Sequence, residues 1–306
     1  MRLLRSTAPG AEELAIEIGA LGLGPGDRVL VEADLDSIGT VIGGTRAVIE
    51  ALIHVVGDHG LIMMPAFSSD ALMPPVDIDS DWQIRERVEA RVPGFDPLLS
   101  PADISGPLAE AFRTWPGVER SFHPVFSLTA YGERASQIVA QHPRDWAMGP
   151  EGPLGRLLEA QKPKVLSLGR PWRYSAAMTM AETMARHRRL RVIRFKDAAR
   201  QPARWVHARD VARDGGAIFS AVGAAFHATG RMTVGPVGAC EAGLYRLDTM
   251  LAFAAPTIAA QNAAQNAHGD PSHRSQAGGP AETAKDVEPV LPRCDRRSSQ
   301  GMPVRT

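Results

Sequence analysis

Residues 28–67 read R-V-L-V-E-A-D-L-D-S-I-G-T-V-I-G-G-T-R-A-V-I-E-A-L-I-H-V-V-G-D-H-G-L-I-M-M-P-A-F, and this stretch decides the fold. Residues 29–31 are an apolar run typical of a buried strand. Apolar residues then recur at helical spacing from Gly43 until Gly57 ends the segment, and residues 61–64 form a second apolar run. A strand, a helix and a strand in this order predict a parallel strand pair with a right-handed crossover.

The turn before this helix suits an anionic ligand. Gly43, Gly44 and Thr45 are small residues, which let backbone N–H groups face a ligand at the positive end of the helix. They match neither the dinucleotide-binding fingerprint nor the glycine-rich phosphate loop of nucleoside triphosphatases. The residues alone leave two interpretations open, a phosphate cradle and a tight strand-to-helix turn.

Further elements follow from the pattern of the remaining chain. Ser105 is placed to cap a helix over about residues 107–114, and residues 125–131 are predicted as a strand. Residues 190–195 are predicted as another strand, and residues 238–254 as the last helix.

Composition excludes several classes of partner. The 306 residues include 34 Lys and Arg and 34 Asp and Glu, so no global field attracts nucleic acid or an anionic membrane. Two cysteines, Cys240 and Cys294, and an N-terminus without the apolar stretch of a signal peptide favour a reducing, cytoplasmic location. No metal-binding motif occurs, so no metal is predicted.

The fold class expected from these observations is α/β. We predict a single domain over residues 1–258, with a mixed, largely parallel central sheet and helices on both faces. After Pro256 the chain becomes rich in Ala, Gln, Asn and Gly and poor in large apolar residues. Such a composition buries too little surface to offset the entropy of ordering, which predicts a disordered C-terminal tail over residues 259–306.

Two stretches resemble the aminoglycoside 3-N-acetyltransferase family. The family patterns S-x-S-S-x-G, G-G-A-x-T-V-I and M-P-T-F are similar to D-L-D-S-I-G at 34–39, G-G-T-R-A-V-I at 43–49 and M-P-A-F at 64–67. The patterns F-D-P and R-S-x-H-P recur at 95–97 and 120–124. The resemblance covers about residues 12–254.

The resemblance implies an acyltransferase of the antibiotic resistance type. Acetyl-CoA would be the co-substrate, and the partner would be a small-molecule amine on an aminoglycoside or a similar amino sugar. The residues implied to bind the cofactor are Ser37, Gly39, Gly43, Gly44 and Thr45. Asp34 and Asp36 replace two serines of the family pattern, and carboxylates there would repel a pyrophosphate by about 1 kcal/mol or more each.

The catalytic base is where this chain departs from the family. The family motif N-T-x-x-H-x-A-E aligns with S-A-A-M-T-M-A-E at 175–182, so Thr179 stands at the histidine position. Threonine cannot act as a base near neutral pH. His123 and Glu182 are the candidate substitutes, and for each the alternative is structural: a core histidine and a buried carboxylate paired with an arginine.

Acidic and basic residues provide further candidates. The resemblance implies that Asp96 and Glu110 bind the substrate amine, and an acidic run at Asp77, Asp79 and Asp81 would suit a polycation, unless it is simply a solvated loop. The basic residues within 186–196 could face a ribose phosphate or form a solvated face.

Two functions therefore compete. The first is CoA-dependent N-acetyl transfer to an amino sugar. The alternative is a degenerate member of the family that binds a ligand without efficient catalysis, because Thr179 replaces the expected histidine. A nucleotide-binding oxidoreductase is a distant third, because the dinucleotide fingerprint is missing.

Overall fold

The computed structural model describes residues 8–74, 82–160, 162–198, 202–212 and 216–267. The strands are β1 (Arg28–Ala33), β2 (Leu61–Pro65), β3 (Glu119–Arg120), β4 (Leu128–Gly132), β5 (Lys164–Leu168), β6 (Leu190–Asp197), β7 (Arg204–Val211), β8 (Met232–Val237) and β9 (Cys240–Arg246). The helices are α1 (Ala11–Ala20), α2 (Leu35–Ile38), α3 (Gly44–Val56), α4 (Trp82–Arg91), α5 (Pro107–Arg113), α6 (Ala135–Val139), α7 (Pro153–Leu158), α8 (Ala176–Met184), α9 (Ala217–Ala228) and α10 (Leu247–Ala267). A 3-10 turn spans Trp172–Tyr174.

The main sheet has seven strands in the order β3-β4-β2-β1-β5-β9-β8. The central pairs β2–β1 and β1–β5 are parallel, and the outer pairs are antiparallel. These pairings make β3, β2, β1, β5 and β8 point one way, whereas β4 and β9 point the other way. The predicted α/β fold with a mixed, largely parallel sheet is therefore confirmed, with parallel pairing confined to its centre.

Side-chain alternation along the strands explains why helices cover both faces. In β1, Val29 and Val31 point into one hydrophobic cluster, whereas Leu30 points into the other. Apolar residues of α1, α3 and α5 complete the first cluster, and those of α6 to α10 complete the second. Residues buried on both faces explain the continuous apolar runs of β1 and β2.

The strand–helix–strand unit forms as predicted. Val29 pairs with Ile62 in the parallel ladder between β1 and β2. The connecting helix α3 begins at Gly44 and ends at Gly57, whose φ of 64° is the left-handed conformation that favours glycine at a helix end.

Two local predictions were wrong, and side-chain hydrogen bonds explain both. Ser105 does not cap α5, because its hydroxyl accepts a hydrogen bond from the N–H of Phe67 at 2.8 Å, and Gly106 holds the cap position. The strand predicted over residues 125–131 begins only at Leu128, because the N–H groups of Val125 and Phe126 bond to the ring of His123.

The helix predicted over residues 238–254 is a strand in its first half. Residues 232–246 form the β8–β9 hairpin, and α10 begins at Leu247. Cys240, Ala242 and Leu244 alternate into one hydrophobic cluster, while Tyr245 packs in the other. The small residues of this stretch concealed its period of two. The strand predicted over residues 190–195 does form, but it pairs with β7 in a separate two-stranded sheet.

The folded chain extends further than the predicted boundary at residue 258. Helix α10 continues to Ala267, because its Ala and Gln residues are good helix formers and Asn262 is buried against α8. Residues 268–306 and the acidic run at Asp77, Asp79 and Asp81 lie outside the described residues. Among the helices that the structure describes, none has the length and apolar character needed to span a bilayer.

Candidate active site

A cleft opens at the carboxyl ends of the central parallel strands. It is shallow in this structure, with a cavity volume of about 10 Å³, which is room for about one water molecule. Its lining residues come from β1, β2, α5 and the loop after β5: Val31, Glu32, Ala33, Met64, Pro65, Ser105, Leu108, Ala109 and Arg170. From β1 the chain continues to β2 on one side, whereas β5 pairs on the other side. This reversal of strand order at the carboxyl edge is where open α/β sheets bind ligands.

Glu32 is the carboxylate in this lining, and its side chain is almost fully buried, at 2% exposure. Its Oε1 accepts a hydrogen bond at 3.1 Å from the N–H of Ala177, in the first turn of α8. Burial raises the pKa of this carboxyl, while the bonds from Ala177 and Ser175 and the charge of Arg170 act in the opposite direction. Glu32 therefore combines a cleft position with a perturbed carboxyl group, which is typical of functional sites.

The sequence reasoning missed both Glu32 and Arg170. A signal existed for the glutamate, because a single charged residue interrupts the apolar run of β1, whose neighbours are buried on both faces. Arg170 follows β5 directly and gave no comparable signal. Its position in the cleft depends on the pairing of β5 beside β1.

The turn after β1 is closed by its own side chains. The hydroxyl of Ser37 donates to Oδ2 of Asp34 at 2.6 Å, and the N–H of Asp34 donates to the carbonyl of Leu168 at 2.9 Å. Asp36 is exposed. The turn packs so closely on the loop after β5 that a Cβ at Gly169 would lie 2.4 Å from the Cβ of Ser37. Ser37 thus lies beside the segment that carries Arg170.

Gly43 and Gly44 form the N-terminus of α3, as predicted. Both have left-handed φ angles, 90° and 59°, and Gly39 has a φ of 80°. No side chain caps this helix, and its first turn holds no acidic residue. A Cβ placed on Gly44 would meet open space. The helix end is therefore accessible to an anion, while Thr45 is half-buried in its first turn.

His123 is committed to the fold through both ring nitrogens. Nδ1 accepts hydrogen bonds from the N–H groups of Val125 and Phe126 at 3.2 and 2.9 Å, and Nε2 lies 3.2 Å from the carbonyl oxygen of Arg144. These partners make Nε2 the protonated nitrogen. Burial lowers the pKa of His123 to about 4. Both ring nitrogens are therefore bonded within the fold, which weighs against the predicted base role of His123.

Both carboxylate oxygens of Glu182 are also engaged in hydrogen bonds within the fold. Its side chain is fully buried, and its two oxygens accept hydrogen bonds from the guanidinium of Arg189 at 2.8 and 2.6 Å. The side-chain amide of Asn262 donates to the same carboxylate at 3.3 Å. Glu182 therefore forms a buried ion pair, the alternative left open by the sequence, and this pairing weighs against its predicted catalytic role.

Thr179 is half-buried on α8, one turn after the cap residue Ser175. Its hydroxyl donates to the carbonyl of Ser175 at 2.9 Å. The cap places the N-terminus of α8 at Glu32, through the hydrogen bond of Ala177. Thr179 is not among the residues that line the cleft.

The two predicted substrate carboxylates differ. Oδ1 of Asp96 accepts from the N–H groups of Leu98 and Leu99 at 2.8 and 3.0 Å, and the residue is exposed. Glu110 accepts two hydrogen bonds from Arg113, at 2.8 and 2.6 Å, which lower the pKa of Glu110. Arg113 already neutralises Glu110, which weighs against its predicted role in binding an amine.

Comparison with known proteins agrees with this architecture. The family model described as aminoglycoside 3-N-acetyltransferase matches residues 30–259. The aminoglycoside N(3)-acetyltransferase IX of Micromonospora chalcea is 34% identical over 262 residues, which cover 80% of this chain and 92% of that protein. The prophage-derived acetyltransferase-like protein YokD of Bacillus subtilis is 33% identical over 251 residues, covering 79% and 90%.

Solved structures are similar over the same region. The crystal structure of the aminoglycoside acetyltransferase AAC(3)-Xa has a TM-score of 0.73 and 32% identity, covering 82% of this chain and 93% of that one. The structure of AAC-IIIb in its binary complex with CoASH has a TM-score of 0.70 and 30% identity, covering 80% and 94%. The chain therefore belongs to the aminoglycoside 3-N-acetyltransferase family and is an acyltransferase with acetyl-CoA as its co-substrate.

Proposed function

We propose that this protein transfers an acetyl group from acetyl-CoA to an amine of an aminoglycoside or a similar amino sugar. The observation that carries the proposal is the cleft at the carboxyl ends of β1, β2 and β5, within a fold matched to acetyltransferases over residues 30–259. The cytoplasmic location inferred from cysteine usage is part of the same proposal.

The donor is proposed to bind along the turn after β1 and the start of α3. The backbone N–H groups at Gly43, Gly44 and Thr45 would face its phosphates at the positive end of α3, with Ser37 and Gly39 on the preceding turn. The hydroxyl of Ser37 donates to Asp34, so this carboxylate stays on the donor turn and opposes a phosphate placed there. The attraction is therefore proposed to come from the backbone N–H groups of α3.

Acetyl transfer also requires a group that takes the proton of the acceptor amine. Thr179 has no basic atom, and the nitrogens of His123 and the oxygens of Glu182 are engaged elsewhere. We assign this task to Glu32, which lines the cleft and whose carboxyl pKa is raised by burial. Thr179, whose hydroxyl is bonded to the carbonyl of Ser175, would take no part in proton transfer.

The acceptor is proposed to meet carboxylates on the β2 side of the cleft. Asp96 is exposed and uses only Oδ1 in its turn, so Oδ2 remains available to an ammonium group. The relatives are named as aminoglycoside acetyltransferases, and a structural neighbour of 28% identity is solved with sisomicin bound. These names support an amino sugar as the acceptor class.

A thiol-release assay tests the proposal. Purified protein is incubated with acetyl-CoA and sisomicin, and free CoA thiol and acetylated product are measured. We expect acceptor-dependent release in the wild type and at least a hundredfold decrease in Glu32→Gln, because removal of a positioned base costs about 10² to 10⁴ in rate. Gln retains an oxygen for the N–H of Ala177, so thermal stability serves as the control for folding. Release that does not depend on any amine would contradict the proposal.

The second candidate function is ligand binding without efficient turnover. The observation that favours it is the hydroxyl of Thr179, which is bonded to its own helix at the position where the family motif has histidine. Calorimetry separates the two functions. Tight binding of acetyl-CoA with no thiol release from any amino sugar would favour the binding protein, and acceptor-dependent release would eliminate it.

A further inference from the structure

The loop after β5 presents two arginines close to an exposed aromatic ring. The guanidinium carbons of Arg170 and Arg173 lie 5.4 and 4.8 Å from the ring centroid of Tyr174. Tyr174 is 45% exposed, and Arg173 is exposed. Arg170 is half-buried, lines the cleft and donates one hydrogen bond to the carbonyl of Ala33 at 3.3 Å.

Neither guanidinium has a carboxylate within 4.0 Å in the part of the chain that the structure describes. The basic residues of the β6 region, which the sequence offered as possible phosphate ligands, are different. Arg189, Arg191 and Arg194 each form an ion pair, with Glu182, Asp210 and Glu89 respectively. Those pairs neutralise these three arginines, whereas Arg188 and Lys196 donate to backbone carbonyls. Arg170 and Arg173 differ from the paired arginines, because their charge remains for a ligand beside the cleft.

This loop is held in place by packing. The ring of Trp172 lies directly over Gly223 of α9, where an added Cβ would come within 2.4 Å of ring atoms. A Cβ on Gly216 would lie 2.0 Å from the Cβ of Arg173. Trp172 also contacts Tyr245, with ring centroids 5.6 Å apart. The 3-10 turn is thus fixed on α9 and β9, which holds Arg173 and Tyr174 beside the cleft residue Arg170 with little ordering left to occur on binding.

We propose that Arg170, Arg173 and Tyr174 form an anion-binding subsite that takes a phosphate or carboxylate of the ligand in the cleft. A guanidinium has five N–H donors, and Arg170 commits one of them here, so the fork geometry that recognises phosphate and carboxylate remains available. The ring of Tyr174 supplies a flat apolar surface for the sugar or base next to the anion.

The proposal rests on the proposed function for the identity of the cleft, and it refines the ligand class. Two molecules of that reaction could supply the anion. The acetyl-CoA donor carries phosphates, and the predicted donor turn at Ser37 packs against this loop. Alternatively, the acceptor amine carries an acidic group of its own, which would distinguish it from a purely polycationic amino sugar.

Binding of inorganic pyrophosphate to the full chain tests the subsite directly, without any need for turnover. We expect Arg173→Gln and Arg170→Gln to weaken binding by about tenfold to a hundredfold, the range for a hydrogen bond to a charged group. Arg231→Gln is the matched control, because Arg231 is exposed and lies at the amino end of β8, whereas the cleft opens at the carboxyl ends of the strands. Equal affinity in wild type and Arg173→Gln, or no binding by the wild type, overturns the proposal.

Two ligand pairs then identify the source of the anion. Acetyl-CoA is compared with acetyl-pantetheine, which lacks phosphates, and glucosamine 6-phosphate is compared with glucosamine. A loss in Arg173→Gln confined to acetyl-CoA supports the subsite and assigns it to the donor, whereas a loss confined to glucosamine 6-phosphate supports it and assigns it to the acceptor.

An equal loss for both members of each pair would overturn the subsite, because it would mean that Arg173 supports the fold. A failure of the proposed function can be distinguished from a failure of the subsite. In that case the wild-type protein would neither bind nor turn over acetyl-CoA, while its binding of pyrophosphate would still depend on Arg173.

Discussion

Glu182 of α8 and Arg189, just before β6, form an ion pair with the carboxylate fully buried and Nη2 2.6 Å from Oε2. The side-chain amide of Asn262 donates to the same carboxylate and to the carbonyl of His187. The last residue of the motif at 175–182 therefore joins α8, the start of β6 and α10. It is part of the framework of the site rather than of its chemistry.

Removal of this carboxylate should destabilise the protein strongly. We expect Glu182→Ala to lower the free energy of unfolding by about 3–5 kcal/mol, because it breaks a buried ion pair and removes the acceptor of the hydrogen bonds from Arg189 and Asn262. Chemical denaturation measures this change. Glu50→Ala is the control, since its partner Arg46 is 76% exposed and such surface pairs contribute less than about 1 kcal/mol. Similar losses in both variants would contradict the assignment.

The buried ring of His123 should make the protein less stable in acid. Its pKa falls from 6.5 to about 4 on folding, so the unfolded state binds the proton more tightly between these values. The contribution of neutral His123 to the free energy of unfolding is therefore fully present above pH 6.5 and is lost as the pH falls toward 4. Between pH 7 and pH 5 the loss should be about 2 kcal/mol.

His123→Asn provides the comparison for this prediction. Asn retains an oxygen that can accept from the N–H groups of Val125 and Phe126, but it does not titrate. All other titrating groups are shared by the two proteins, so the difference between their unfolding free energies isolates His123. Parallel stability curves between pH 7 and pH 5 would show that the ring is not buried in its neutral form.

Glu32 should have the opposite dependence on pH. Burial raises the pKa of its carboxyl above the value of 4.5 in the unfolded chain, so the native state holds the proton more tightly. Stability is therefore lost as the pH rises from 4.5 through the pKa of the folded state. We expect Glu32→Gln to lack this loss, and denaturation at a series of pH values measures it. A wild type whose stability does not decrease relative to the variant above pH 4.5 would contradict a desolvated carboxyl.

The fold could be predicted because short stretches of sequence specify its central strand–helix–strand unit. The apolar runs at β1 and β2 and the helical spacing of α3 specify the parallel unit without reference to distant residues. The β8–β9 hairpin was missed because its small residues pack well in either helix or strand, and the core into which Leu244 points decides between them. Propensity alone carries no information on that core.

The site was harder to predict than the fold for a related reason. Motif spacing identifies residues that matter, but it does not distinguish a residue that contacts a ligand from one that supports the cleft. Arg120 is an example, since its guanidinium donates to the carbonyl of Ala66 and to the hydroxyl of Ser127 within the fold. Glu32 and Arg170 meet only because β5 pairs beside β1, a contact between residues distant in sequence.

The proposed donor site predicts that Gly44→Val weakens acetyl-CoA binding. A side chain at this position would occupy the open space in front of α3, and the left-handed φ of 59° adds about 1–2 kcal/mol of backbone strain. Calorimetry with acetyl-CoA should show at least a tenfold loss of affinity, about 1.4 kcal/mol.

Gly230→Val separates the loss of binding from the backbone strain. Gly230 has a φ of 70° and open space around it, but it lies between α9 and β8, away from the proposed donor site. We expect this variant to lose similar stability and to retain acetyl-CoA affinity. If Gly44→Val binds acetyl-CoA as tightly as Gly230→Val does, the placement of the donor is wrong.

The last prediction concerns Thr179, whose alignment with the motif histidine follows from the A-E spacing at 181–182. Thr179→His should raise amine-dependent thiol release by at least about tenfold, because a positioned general base contributes about 10² to 10⁴ in rate. Thr179→Val is the matched control, since it keeps the shape of threonine and removes the hydroxyl that donates to the carbonyl of Ser175. If the hydroxyl has no part in proton transfer, this control should retain the wild-type rate. A large loss in Thr179→Val would instead assign a role to the hydroxyl, for example in holding a water molecule that takes the proton. A wild-type rate comparable with that of an efficient acetyltransferase, unchanged in Thr179→His, would show that the protein already has its base, and Glu32→Gln would then identify or eliminate Glu32 as that group.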